Sequence, residues 1–115
     1  MDTSEQYINM CRQAKELQEM WKPEPGDFYK LPGHFITCIV LKNSLIDMDA
    51  IWLPRIDQLI ELSAMHWSDI VDYARLDYNE NQLSFEITML KIVVYMVYRK
   101  RWNGEDWICT LNTTA

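Results

Sequence analysis

The chain has 115 residues, 49% hydrophobic and 24% charged, with three Gly and four Pro. This size and balance exclude a disordered or collagen-like chain and lead us to expect a single domain over residues 1–115. A net charge of −6 argues against loose, sequence-independent binding to nucleic acid, whose phosphates select a basic face.

Residues 2–4 offer Asp2, Thr3 and Ser4 as helix caps, with Glu5 and Gln6 placed against the first free amides. Tyr7, Met10, Cys11, Ala14, Leu17 and Trp21 recur every three or four residues, which predicts one amphipathic helix running to Trp21. Pro23 and Pro25 end it, and Pro25-Gly26 is a turn pair in which Gly supplies positive φ.

Residues 27–31 and 35–41 are short aromatic and β-branched runs separated by Pro32-Gly33, the pattern of an antiparallel hairpin. Both faces of the second run are apolar, so a strand covered on both sides is expected. Residues 43–49 read as a polar connection, and residues 50–52 as a brief third strand.

Pro54 suits the first position of a helix whose apolar face is Ile56, Leu59, Ile60 and Ser63. A break near Met65-His66 is expected, with Ser68 capping a further helix that turns Ile70, Val71, Ala74 and Tyr78 inward and ends in a turn at residues 79–81. Residues 83–101 are apolar on nearly every side, and their length decides for a central helix although their β-branched residues favour strand. Glu86 and Lys91 interrupt the run, which falls short of the ~20 apolar residues of a membrane span. The basic residues 99–101 suit a helix C-terminus, and Asn103-Gly104 places a tight turn between Trp102 and Trp107, two indoles able to clasp across it. The fold class expected is α+β: an N-terminal helix, a small antiparallel sheet of two or three strands, then about three helices packed on it.

Cys11, Cys38 and Cys109 are odd in number and far apart, without ligand spacing to His, so neither a disulfide framework nor a zinc site is indicated. Residues 1–5 lack the basic-then-apolar order of a secretion signal, and a cytoplasmic location is expected. His34 with Asp47 or Asp49, and Cys38 with His66, supply residue types for acid-base, metal or nucleophilic chemistry, yet their settings read as solvated loop and buried strand. No catalytic group, cofactor or metal is therefore expected.

Candidate interaction residues remain. Arg55 and Asp57 flank the start of the second predicted helix, where exposed amides can hold an anion or a partner's carboxylate; self-satisfied pairs are the alternative. Trp67, Trp102 and Trp107 are candidate interface anchors, with core packing the alternative for each. Five Trp, six Tyr and seven Met exceed what one small core hides, which points to a surface patch.

The motifs Trp21-Lys-Pro-Glu-Pro-Gly-Asp-Phe-Tyr29, Trp52-Leu-Pro-Arg-Ile-Asp-Gln-Leu59 and Trp102-Asn-Gly-Glu-Asp-Trp107 resemble those of a group of small proteins encoded by bacteriophages and prophages. The layout is loosely similar to small phage α-β-α sandwich domains. The resemblance implies a phage or prophage origin and a helix-covered sheet, and it carries no catalytic residues. The second strand is more apolar here than such proteins lead one to expect, which together with the apolar last helix points to a dimer interface.

Acidic charge with surplus aromatics suits a non-enzymatic module that binds a protein partner or forms a homodimer, for instance an acidic inhibitor of a nucleic-acid-binding protein. A ligand-binding or enzymatic domain using Arg55, Asp57 and His34 in a pocket between sheet and helices is the alternative. A nucleic-acid module would require Arg55, Lys91 and residues 99–101 to share a face.

Overall fold

The structure, a computed structural model, describes residues 1–42, 46–81 and 84–110. The fold is α+β and forms two compact units, one of Thr3–Arg55 and one of Met1–Asp2 with the chain from Ile56 onward.

In the first unit, Ser4 caps helix α1 (Glu5–Gln13), its hydroxyl accepting the Tyr7 amide at 3.2 Å. The predicted single helix is interrupted: Ala14 leaves helical backbone geometry at ψ 71°, and α2 (Lys15–Glu19) follows. The interruption turns the Cys11 carbonyl to a different use, because it accepts both the Ala14 amide and the Gln18 side-chain amide. The apolar spacing survives the break, and Tyr7, Met10, Cys11, Ala14 and Leu17 are all buried.

Strands β1 (Phe28–Lys30), β2 (Thr37–Ile39) and β3 (Ile51–Leu53) form an antiparallel sheet in the order β2-β1-β3. The two glycine turns sit where expected: Gly26 and Gly33 have φ of 94° and 79°, and the Asp27 and His34 amides donate back to the Glu24 and Leu31 carbonyls. The brief third strand is present, displaced by one residue from residues 50–52. Of the polar connection expected at residues 43–49, residues 43–45 lie outside those described.

The second strand is not covered on both sides. It is the edge of the sheet, with Phe35 fully exposed, Ile36 and Leu41 largely exposed, and Ile39 49% exposed; only Val40 of this run is buried. Apolar character on both faces signals burial only when neighbouring elements close over the strand, and residues 35–41 instead pair on one side alone.

In the second unit, α3 (Ile56–Ser63) begins two residues after Pro54, whose carbonyl accepts the Tyr7 hydroxyl at 2.6 Å. Leu59 and Ser63 are its buried residues. The break at Met65-His66 is present, but His66 supplies the cap: its Nδ1 lies 2.8 Å from the Ser68 hydroxyl and accepts the Ser68 amide, which places Ser68 inside α4 (Trp67–Asn81). Residues 79–81 belong to this helix and do not form the expected turn. Ile70 is buried and Ala74 half-buried, whereas Val71 is exposed; Tyr78 lies outside the described side chains.

Ser84 caps α5 (Phe85–Tyr98) by accepting the Ile87 amide and donating to the Asp2 carboxylate; Leu83, the expected start, lies outside the described residues. α5 packs against α3 and α4, and Ile87 to Leu90 with Ile92 to Val94 are buried, so burial outweighs the β-branched preference for strand. The helix stops earlier than expected because Arg99 adopts left-handed geometry at φ 57°, held by two hydrogen bonds from Thr110 to its carbonyl. Residues 100–101 therefore open a hairpin instead of ending a helix: β4 (Lys100–Trp102) pairs with β5 (Trp107–Cys109). Asn103 builds the turn by accepting the Glu105 and Asp106 amides, and Gly104 has φ 105°. Among the described residues no helix is long and apolar enough to cross a membrane.

Candidate functional site

The geometry of the sheet fixes what its two edges offer. Beside the β1–β2 ladder the Val40 amide donates to the Asp27 carbonyl at 2.8 Å and the Val40 carbonyl accepts the Gly26 amide at 2.9 Å, so Val40 turns its backbone towards the β1 side and, two residues along, Tyr29–Cys38 is a hydrogen-bonded pair. Phe28–Ile39 and Lys30–Thr37 are the intervening pairs, so the amides and carbonyls of Thr37 and Ile39 point away from β1. On the opposite edge the same alternation turns the Trp52 backbone away from β1.

There a side chain completes the ladder. The Trp52 amide donates to Gln18 Oε1 at 2.7 Å, and Gln18 Nε2 donates to the Trp52 carbonyl at 2.9 Å. A single carboxamide presents the donor and acceptor that a neighbouring strand residue would present, and Nε2 also reaches the Cys11 carbonyl at 3.0 Å. Trp21 stacks on Trp52 with ring centroids 6.1 Å apart and an interplanar angle of 1°. Around the outward groups of Thr37 and Ile39, by contrast, no described residue donates or accepts.

The surroundings of the open edge are basic as well as apolar. Residues 28–42 contain Lys30, His34 and Lys42 and no carboxylate, in a chain of net charge −6. A cavity of about 350 Å³ adjoins it, lined by Glu5, Ile8, Asn9 and Arg12 of α1 and by Lys30, His34 and Phe35 among others, so an acid as well as basic side chains faces it. Tyr29, paired with Cys38 across the ladder, has its phenol pKa raised by burial and by the adjacent Cys38.

The sequence-predicted site residues are dispersed. Arg55 donates to the Gly26 carbonyl at 2.8 Å and to Asp27 Oδ1 at 3.4 Å, which ties it to the turn before β1. Asp27 is buried and also accepts the Trp21 indole N–H and the Glu24 amide. His34 lines the cavity beside α1, so it and Arg55 have separate settings. Asp57 is exposed in the first turn of α3, where its charge complements the helix dipole, and Trp67 is 56% exposed at the first position of α4. Trp102 and Trp107 are the pair brought together, facing each other across the hairpin with centroids 5.1 Å apart. Cys38 and Cys109 are half-buried free thiols, and Cys11 is buried. Among the described residues no group of three or more His, Cys, Asp or Glu side chains is placed to hold a metal ion.

The open edge was absent from the candidates drawn from the sequence. Its signal was nevertheless present: an apolar run with positive flanks and no acid, following a Pro-Gly turn. Comparison with known proteins gives no match, whether to a family model, a curated protein or a solved structure.

Proposed function

We propose that this chain is a small non-enzymatic adaptor that captures an extended segment of a partner protein on the free edge of its sheet. The observation that carries this reading is the outward-pointing backbone of Thr37 and Ile39 on an exposed, apolar edge strand, the template on which a foreign strand adds by main-chain hydrogen bonds. Charge selects the occupant. An antiparallel second copy offers no acid to Lys30 and Lys42, whereas a partner segment with an apolar centre and acidic flanks meets both lysines favourably. The adjoining cavity, lined by Glu5 as well as Arg12 and Lys30, has room for a side chain from such a segment.

The resemblance to phage- and prophage-encoded proteins makes a host or phage protein the natural source of that segment, acting in the cytoplasm. The test is capture on wild-type protein and on Ile39→Pro from cells under prophage induction, followed by mapping of the bound segment and light scattering on the eluate. Wild type should retain a stoichiometric partner through an extended, acid-flanked segment, and Ile39→Pro should lose it. The same partner retained equally by the proline variant, or a homodimer abolished by it, would reject the hetero-partner reading.

A further inference from the structure

The cavity beside α1 adjoins one end of the free edge, and its position there gives a captured strand a direction. β1 and β2 are joined through the turn in which the His34 amide donates to the Leu31 carbonyl, so Lys30, His34 and Phe35 lie at the end of the sheet where β2 begins. The facing wall is helical: Glu5, Asn9 and Arg12 recur at four- and three-residue intervals and share one face of α1. Arg12 donates to the neutral Asn9 carboxamide. Lys30 and its cross-strand partner Thr37 stand on the same face of the sheet as the next pair but one, Phe28 and Ile39.

A strand laid along the outward groups of Thr37 and Ile39 enters or leaves at this cavity. Running antiparallel to β2, it brings its carboxyl end to Lys30; running parallel, its amino end. Among the described lining residues two permanent cations, Arg12 and Lys30, outnumber one acid, Glu5, and a carboxylate is the end they favour. Antiparallel addition also continues the pairing already present between β1 and both of its neighbours. We propose, resting on the adaptor reading above, that the captured segment is the free C-terminus of a partner chain, antiparallel to β2, with its terminal carboxylate held by Arg12 and Lys30. A concavity walled by both a helix and a turn receives a chain end better than a chain passing through, and capture of a terminal carboxylate beside an added strand is an established way of reading a peptide. Spacing sets the rest of the segment. Thr37 and Ile39 are about 7 Å apart along the strand and Phe35 is as far again, so the carboxylate falls about two residues past the one opposite Thr37. The residue opposite Ile39 meets a half-exposed apolar side chain, the last residue meets the exposed Phe35 ring, and an acid further upstream meets Lys42 at the other end of the run.

Selection on the immobilised full chain with random octapeptide libraries tests this, one library placed at the very C-terminus of a carrier protein and the other followed by a fixed neutral tail. The free-end library should be enriched, with apolar residues at and near its last position, and Ile39→Pro should abolish the enrichment. A selected peptide made as the free acid should bind about tenfold or more tighter than its C-terminal amide. Arg12→Gln and Lys30→Gln should each shrink that ratio, and Glu5→Gln should widen it by removing the acid that opposes the carboxylate. The ratio is read within one variant, so a general loss of stability leaves it unchanged. Enrichment of the tailed library alone or of both equally, or equal affinity of free acid and amide, overturns the terminal-carboxylate proposal and leaves the adaptor reading standing if Ile39→Pro still abolishes capture. A ratio unmoved in both Arg12→Gln and Lys30→Gln overturns the assigned site. Enrichment of neither library rejects the adaptor reading and this proposal together.

Discussion

The two edges of the three-stranded sheet have the same backbone geometry and opposite fates. Trp52 on β3 and Thr37 and Ile39 on β2 all turn their amides and carbonyls away from the central strand. At Trp52 the carboxamide of Gln18 meets them, and the break at Ala14 leaves the Cys11 carbonyl to accept from that same carboxamide. At Thr37 and Ile39 the chain supplies no such group among the described residues, and it surrounds the edge with Phe35, Ile36 and Leu41 exposed. An edge strand is a liability that proteins ordinarily blunt with charge, proline or a covering element. This protein shows the means of closure on one side, so the open side is the surface on which a functional reading rests.

The sharpest way to break the comparison is proline scanning of β2. Cys38 donates inward to β1, so Cys38→Pro should cost about 3 kcal/mol or more in urea denaturation. Ile39 directs its amide outward, and Ile39→Pro should cost only about 1 kcal/mol, because a proline is tolerated where the missing N–H would face solvent. Equal losses would mean that the assigned edge is not the free one. Next in size is the closed side. Gln18→Leu strips the Trp52 amide and carbonyl of their partner in a part-buried setting, and a loss of about 2–3 kcal/mol is expected by the same measurement. Tyr7→Phe tests how the chain leaving β3 is held. It removes the buried hydroxyl that donates to the Pro54 carbonyl, with an expected loss of about 1–2 kcal/mol and no change in partner capture at β2.

The sequence carried the closed side poorly and the open side in disguise. The apolar spacing from Tyr7 to Leu17 identified the buried face of α1 and α2, since helical periodicity survives a local break. It did not reveal the break itself, because a glutamine reaching Trp52, 34 residues away, leaves no local pattern. The two Pro-Gly and Glu-Pro-Gly turns were legible because positive φ at Gly26 and Gly33 is a local requirement. The run at residues 35–41 was recognised as strand but assigned to the interior, since hydropathy records affinity for cover and not whether cover exists. The same limit applies at the C-terminal hairpin. Asn103-Gly104 and the paired indoles were visible, whereas Arg99 in left-handed geometry depends on Thr110 and so converted an expected helix end into β4. Of the five residues singled out for interaction, Trp102 and Trp107 meet because the turn between them is encoded locally, and Arg55 is instead tied to Asp27 across a long stretch of chain.

The smallest effect expected is a titration that reports the state of the open strand. Tyr29 on β1 is half-buried and faces Cys38 on β2, and both burial and the thiol raise its pKa above the ordinary phenol value of 10.0. The raised value means that the folded protein binds the phenolic proton more tightly than the unfolded chain does. Its contribution to stability is therefore constant at neutral pH, begins to fall as pH rises past about 10, and is lost above the folded pKa. Ultraviolet difference titration should show the Tyr29 step above the ordinary phenol value, and Cys38→Ala should move that step back towards it. A partner strand seated on β2 excludes water from the Tyr29–Cys38 pair, so its binding should delay the step further. If a captured segment leaves the Tyr29 titration unmoved, that segment docks elsewhere and the contrast between the two edges loses its functional meaning.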